Sequence, residues 1–118
     1  MTLLSGEITI CVVDVVRPSS FGLAVLYQVA VDGKVIGSLP AETFVTTVIT
    51  PGDHVIALTN ATSEANITVH CDADRLCFVR AGMHPAAMSN RARLIVVSDE
   101  EGRRLVQQNA MVESLPSP

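Results

Sequence analysis

The chain has 118 residues, of which 48% are hydrophobic, 17% charged and 3% aromatic, and its formal net charge is -4 at pH 7. Mean hydropathy is +0.40 and the pI about 5.2, a balance that argues against a polyanionic partner: nucleic-acid modules need a concentrated basic face and aromatic stacking platforms. A transmembrane helix is excluded as well, because Asp14, Asp32, Glu42 and Asp53 interrupt the apolar runs before they approach roughly 20 residues.

This length fits one domain with a core of its own. The expected domain covers residues 1–113, with 114–118 as a flexible tail. MTLLSGEITI has no basic segment and only Leu3-Leu4 before Ser5, Gly6 and Glu7, so it does not read as a secretory signal. The chain as it stands is expected in the cytoplasm; a chain whose leader has been removed is expected in the cell envelope or periplasm.

In chain order, Ile8 to Val16 is a β-branched run with apolar residues on both faces, as in a strand covered on both sides. Arg17-Pro18-Ser19-Ser20 reads as a loop, and Leu23 to Val31 resumes as a second strand. Asp32-Gly33 is a two-residue hairpin signal, since a tight primed turn needs positive φ. A short third strand follows, then Thr43 to Thr50. Pro51-Gly52-Asp53 reverses the chain into a return strand from His54 to Thr59, and the two flanking strands are expected to pair as a hairpin. Asn66 to Cys71 and Leu76 to Arg80 form a second expected hairpin around Asp72-Ala73-Asp74-Arg75, and Ala92 to Val97 is a further strand.

Ser98-Asp99-Glu100-Glu101 has capping-box spacing, which predicts a helix running toward Met111; Gly102 favours a rival hairpin. These elements predict an all-β fold: an antiparallel β-sandwich of seven or eight strands, with at most one short C-terminal helix after Ser98.

Taken together, Val16-Arg17-Pro18, Val31-Asp32-Gly33-Lys34-Val35-Ile36-Gly37-Ser38-Leu39, Thr50-Pro51-Gly52-Asp53-His54 and Arg75-Leu76-Cys77-Phe78-Val79 resemble the bacterial family known as domain of unknown function 2846. Its members look like small envelope lipoproteins. The strand pair followed by the Pro-Gly turn is also similar to PEGA-type surface modules. The resemblance covers roughly residues 12 to 100 and implies a β fold in an envelope setting, without implying an activity. Two positions depart from it. Ile10 and Val12 make Cys11 a strand residue rather than a lipid-attachment cysteine, and Asp74 then Cys77-Phe78 stand where the family has Gly and then paired aromatics.

The residues that carry chemistry are few. Cys71 and Cys77 flank a turn, and its register leaves three alternatives: buried free thiols, a disulfide, or metal ligation. The metal reading is the weakest, because adjacent His70 and Cys71 point to opposite faces of a strand. His54 follows the Pro-Gly turn, where an imidazole can bond turn carbonyls, and His84 precedes Pro85. Ser19, Ser20, Ser38 and Ser98 lack a nucleophile elbow. Asp72/Asp74 and Asp99/Glu100/Glu101 suit a turn and a helix start. The glycines form no phosphate loop. Asn60-Ala61-Thr62 and Asn66-Ile67-Thr68 match the glycosylation pattern, which is idle in a bacterial protein.

No catalytic, cofactor-binding or metal-binding residue and no cofactor is therefore expected. The expected function is a non-enzymatic binding or structural module associated with the bacterial cell envelope. The alternatives are a structural subunit of a larger assembly and a small metal-dependent hydrolase. Leu23 to Val31 and Thr43 to Thr50 carry no charge, so a protein partner or self-association as a homo-oligomer is expected to cover apolar surface.

Overall fold

A computed structural model describes residues 10–19, 25–61, 63–83 and 92–112. It is a two-sheet β-sandwich with one helix, as the strand pattern predicts. The elements are β1 (Cys11–Arg17), β2 (Tyr27–Val31), β3 (Lys34–Leu39), β4 (Thr43–Ile49), β5 (Gly52–Thr59), β6 (Glu64–Cys71), β7 (Leu76–Met83), β8 (Ala92–Val97), α1 (Asp99–Gln107) and β9 (Ala110–Val112). The strands predicted to begin at Ile8 and Leu23 start outside the described residues, as do Gly22, His84 and the predicted 114–118 tail.

One sheet has five strands in the order β8-β7-β1-β4-β9 and the other has four in the order β3-β2-β5-β6. The four-stranded sheet is antiparallel throughout. The five-stranded sheet is mixed: β1 pairs antiparallel with β4 but parallel with β7, and β4 pairs parallel with β9. The described residues thus hold nine strands, one more than expected, and the sandwich is not wholly antiparallel. Between the sheets lie Val13, Val15, Tyr27, Val29, Leu39, Val45, Ile56, Leu58, Val69 and Val79, all essentially removed from water. Fully burying one such side chain is worth about 1.5–3 kcal/mol before entropy is counted.

Two predicted hairpins are corrected. β4 and β5, on either side of Pro51, belong to different sheets, and so do β6 and β7, on either side of the Asp72–Arg75 segment. Each connection is an arch that carries the chain from one sheet across the core to the other. The turn residues behave as expected all the same: Gly52 has φ 123°, and Asp74, in the second arch, has φ 64°. A turn signal fixes that the chain reverses. Which strand edge receives the returning segment depends on partners far away in sequence, because β4 and β7 already occupy the two edges of β1.

Hairpins do form elsewhere. Asp32 (φ 51°) and Gly33 (φ 87°) make the two-residue turn between β2 and β3, with Val31 paired to Lys34. Between β5 and β6, the Asn60 side-chain oxygen accepts from the Ser63 amide at 2.7 Å and its hydroxyl at 3.1 Å.

The outer face of the five-stranded sheet is covered by α1. Ser98 caps the helix by accepting the Glu101 amide at 3.2 Å, and Asp99, Glu100 and Glu101 place acids in the first turn. Leu105 and Val106 pack on Val16 and Phe44. Gly102, which argued against a helix in the sequence, is what lets it dock: a Cβ there would overlap the Phe78 ring. After α1 the chain adds β9 to the sheet edge beside β4.

Gly102→Ala sets helix propensity, which favours Ala by about 1 kcal/mol, against overpacking onto Phe78. Overpacking is expected to win, with a net loss of about 1–3 kcal/mol in chemical denaturation; a stabilised variant would place α1 elsewhere. At Gly33 and Gly52 no atom stands within 4 Å of an added Cβ, so the cost of substitution there is conformational. Gly33→Val and Gly52→Val are each expected to lose about 1–3 kcal/mol by the same measurement.

Candidate functional site at the arch end of the sandwich

The Asp32-Gly33 turn, both arches and the start of β1 meet at one end of the sandwich. Asp74 N–H donates to Ile10 C=O at 2.8 Å, Val12 N–H to Arg75 C=O at 3.1 Å and Asp32 N–H to Val55 C=O at 2.8 Å, while Gly52 lies opposite Cys71. These bonds gather His54, His70, Cys71, Cys77 and Asp72, all weighed as candidates from sequence, and add Cys11, Asp32 and Asp53.

His54 lies on the core-facing side of β5 at the rim, its side chain only 12% exposed. Nδ1 stands 2.5 Å from Asp32 Oδ2, and Nε2 stands 2.7 Å from the Thr50 carbonyl oxygen. Both are acceptors, so both ring nitrogens must donate, and the geometry suits the imidazolium. The hydrogen bond to Asp32 raises the His54 pKa, outweighing burial, and in return holds Asp32 below its ordinary value. Asp32 Oδ1 also accepts the Val55 amide at 2.9 Å. The turn aspartate therefore serves the turn, the β2–β5 ladder and the imidazole at once.

On the opposite face of the same sheet, His70 repeats the pattern in solvent. Nδ1 meets Asp53 Oδ1 at 2.6 Å across the strand pair, and Nε2 meets Asp72 Oδ1 at 3.1 Å. Asp53 first, then Asp72, raises its pKa.

The thiols lie inside. Cys11 and Cys71 are buried, Cys77 is half-buried, and all three are free. Cys77 Sγ is 2.8 Å from Cys71 Sγ, and Cys11 donates to the Asp72 carbonyl at 2.7 Å. Burial first, then the neighbouring Cys11 and Cys77 thiols, pushes the Cys71 thiol up, so it is protonated at neutral pH. Of the three cysteine alternatives, the arrangement is the free-thiol one, with Cys71 and Cys77 facing across an arch rather than across a hairpin. Beside them a cleft of about 210 Å³ opens between β6, β8 and the start of α1, lined among others by His70, Asp72, Arg75, Cys77, Val96 and Asp99. Among the described residues no group of three or more His, Cys, Asp or Glu side chains is arranged to hold a metal ion.

Among the described residues, two charged ones outside this end are buried without having been singled out. Arg17, which read as part of a loop, is the last residue of β1 and only 1% exposed. Its Nη1 donates to the Val25 carbonyl at 2.8 Å and the Leu39 carbonyl at 2.9 Å, and the guanidinium lies 4.7 Å from the Tyr27 ring centre. Asp14 is buried in the middle of β1; burial raises its pKa, opposed by a hydrogen bond from Thr46. Ser98 and the acids after it serve the helix cap.

No protein-family model, curated protein or solved structure matches the chain.

The Asp32–His54 pair makes stability pH-dependent. His54, with its pKa raised above the ordinary 6.5, contributes fully below that value and loses its contribution as pH rises through the raised pKa. Asp32, depressed below the ordinary 3.8, contributes above that value and loses it as pH falls through the depressed pKa. Asp32→Asn keeps the turn, because Asn accepts positive φ, and removes the charge. The stability gap between wild type and variant is expected to be widest between the ordinary values of the two groups, 3.8 and 6.5, and to narrow as pH rises through the raised His54 pKa. Thermal melts across that range measure it, and a gap that stays flat would refute the pairing.

Proposed function

We propose that this chain is a non-enzymatic β-sandwich binding module, associated with the bacterial cell envelope, that works as a homo-oligomer paired through the β8 edge. The observation that carries the reading is β8 itself. After Arg93, near its start, β8 has no charged residue, Ile95 is 38% exposed and Val96 49% exposed, and its outer edge has no strand partner among the described residues. Unpaired strand edges with apolar side chains are templates for pairing unless charge, proline or a covering element blocks them. The other edges are less open: β9 is three residues long, β3 begins at Lys34, and β6 sets Glu64 and His70 outward.

A second copy is the simplest occupant, since two β8 strands related by a two-fold axis satisfy each other's edges antiparallel. The two uncharged segments noted in the sequence need no edge partner, because β2 and β4 are interior strands of their sheets, although Leu26 and Val48 within those segments are exposed. The envelope setting is supported by the likeness of the turn motifs to domain of unknown function 2846 and PEGA-type modules. Against the hydrolase alternative stands the bonding of the histidines: His54 and His70 each direct both ring nitrogens at oxygen acceptors. While protonated, neither offers a lone pair to accept a proton or ligate a metal.

Light scattering across micromolar to high micromolar concentration is expected to give a mass at least twice the 12.5 kDa protomer, little affected by salt because the contact is apolar. Val96→Lys is expected to shift the mass to the monomer. Wild-type protein that stays monomeric throughout would overturn the self-association reading and leave the β8 edge to a different protein.

A further inference from the structure

We propose that Cys77 and Cys71 form a dithiol that undergoes stoichiometric thiol–disulfide exchange with small anionic disulfides of the glutathione type, which enter through the cleft beside β8.

Three observations converge on it. The two sulfurs lie 2.8 Å apart, about 0.8 Å beyond the bonded distance in a disulfide, so oxidation needs only a small movement of the Asp72–Arg75 arch. The two thiols are also unequal in access: Cys77 is half-buried and lines the cleft, whereas Cys71 is 1% exposed and lies behind it. An incoming disulfide therefore meets Cys77. Lastly, the exposed Arg75 on the cleft wall offers a cation to one carboxylate of such a molecule, leaving its other charges to solvent because Asp72 and Asp99 line the same cleft. The third thiol, Cys11, also neighbours Cys71, but it is buried, donates to the Asp72 carbonyl and does not line the cleft.

The exchange balances in two steps. The Cys77 thiolate attacks one sulfur of the small disulfide, forming a mixed disulfide and releasing one small thiolate, which takes up the proton that Cys77 gave to solvent. Cys71 then loses its proton as its sulfur attacks Cys77 Sγ; the mixed disulfide breaks, and the second small thiol leaves carrying that proton. The protein is oxidised by two electrons, the small disulfide is reduced to two thiols, and β6 and β7 become covalently joined across the arch.

Because Val96 lines the cleft and also belongs to the proposed β8 contact, the test exposes native protein, diluted until light scattering gives the monomer, to oxidised glutathione, quenches in acid and counts thiols after denaturation, with peptide mapping by mass spectrometry. In wild type the titratable thiols are expected to fall from three to one, with a Cys71–Cys77 cross-linked peptide. Cys71→Ser removes the resolving sulfur and is expected to accumulate one glutathione adduct, on Cys77. Cys77→Ser is expected to keep both remaining thiols under the same exposure, with circular dichroism confirming that each variant is folded. Retention of all three thiols in wild type, a cross-link involving Cys11, or an adduct on Cys71 rather than Cys77 would each overturn the proposal; the wild-type experiment decides it even where a variant fails to fold.

Discussion

Strand β1 is covered on both faces, and most of the architecture follows from satisfying that demand. Cys11, Val13, Val15 and Arg17 face the four-stranded sheet, while Asp14 and Val16 on the other side are also buried. A sandwich alone covers only one face of each sheet. The second face needs another layer, and α1 supplies it by laying Leu105 on Val16 and Phe44. The helix can lie that close only because Gly102 has no side chain to meet Phe78. The same demand explains why β1 is an interior strand with β4 and β7 at its two edges. A strand apolar on both faces gains most from the centre of the sheet.

The two ends of the core are closed by opposite kinds of chemistry. At one end Arg17 reaches inward and spends hydrogen bonds on carbonyls of the segment before β2 and the end of β3, which holds those chain ends together and satisfies a charge that burial disfavours. At the other end the closing groups are soft and titratable: three thiols inside and two imidazoles at the rim, each imidazole fixed between oxygen acceptors. The Arg17 end is built to stay shut, since its guanidinium does not titrate in the physiological range. The arch end responds to protons and electron acceptors.

What the sequence revealed and what it hid differ in range. The strands, the Asp32-Gly33 hairpin and the Ser98 cap are written in residues within a few positions of one another, and they were legible. The destinations of the strands after Pro51 and Asp72 were not, because arch and hairpin use the same turn residues and are told apart only by pairings tens of residues away. β9 has three residues and no periodicity to detect. Arg17 was misread because an arginine before a proline is usually exposed; the one hint was that it directly continues a run buried on both faces. At the candidate site the six-residue cysteine spacing pointed to the right pair, but Cys11 sits 60 residues away from Cys71, and only the meeting of β1 with the second arch brings it in. The role of Asp32 toward His54 was masked by its sufficiency as a turn residue.

The imidazole and thiol chemistries at the arch end share a joint, Asp72. Its carbonyl oxygen accepts the Cys11 thiol at 2.7 Å and the Arg75 amide at 3.1 Å, while its carboxylate meets His70 Nε2 at 3.1 Å. The residue immediately before it is Cys71, and the segment it opens carries the chain to Cys77. A change in the separation of the two sulfurs therefore has to be absorbed within the backbone that also positions the His70 partner, and neutralising His70 weakens one of the three contacts that hold the Asp72 side chain and backbone in place. Hydrogen bonds to a charged group are the stronger of these, so the protonated imidazole restrains the arch more than the neutral one does. Arch geometry, not proximity of the imidazoles to the sulfurs, is what makes this end one site.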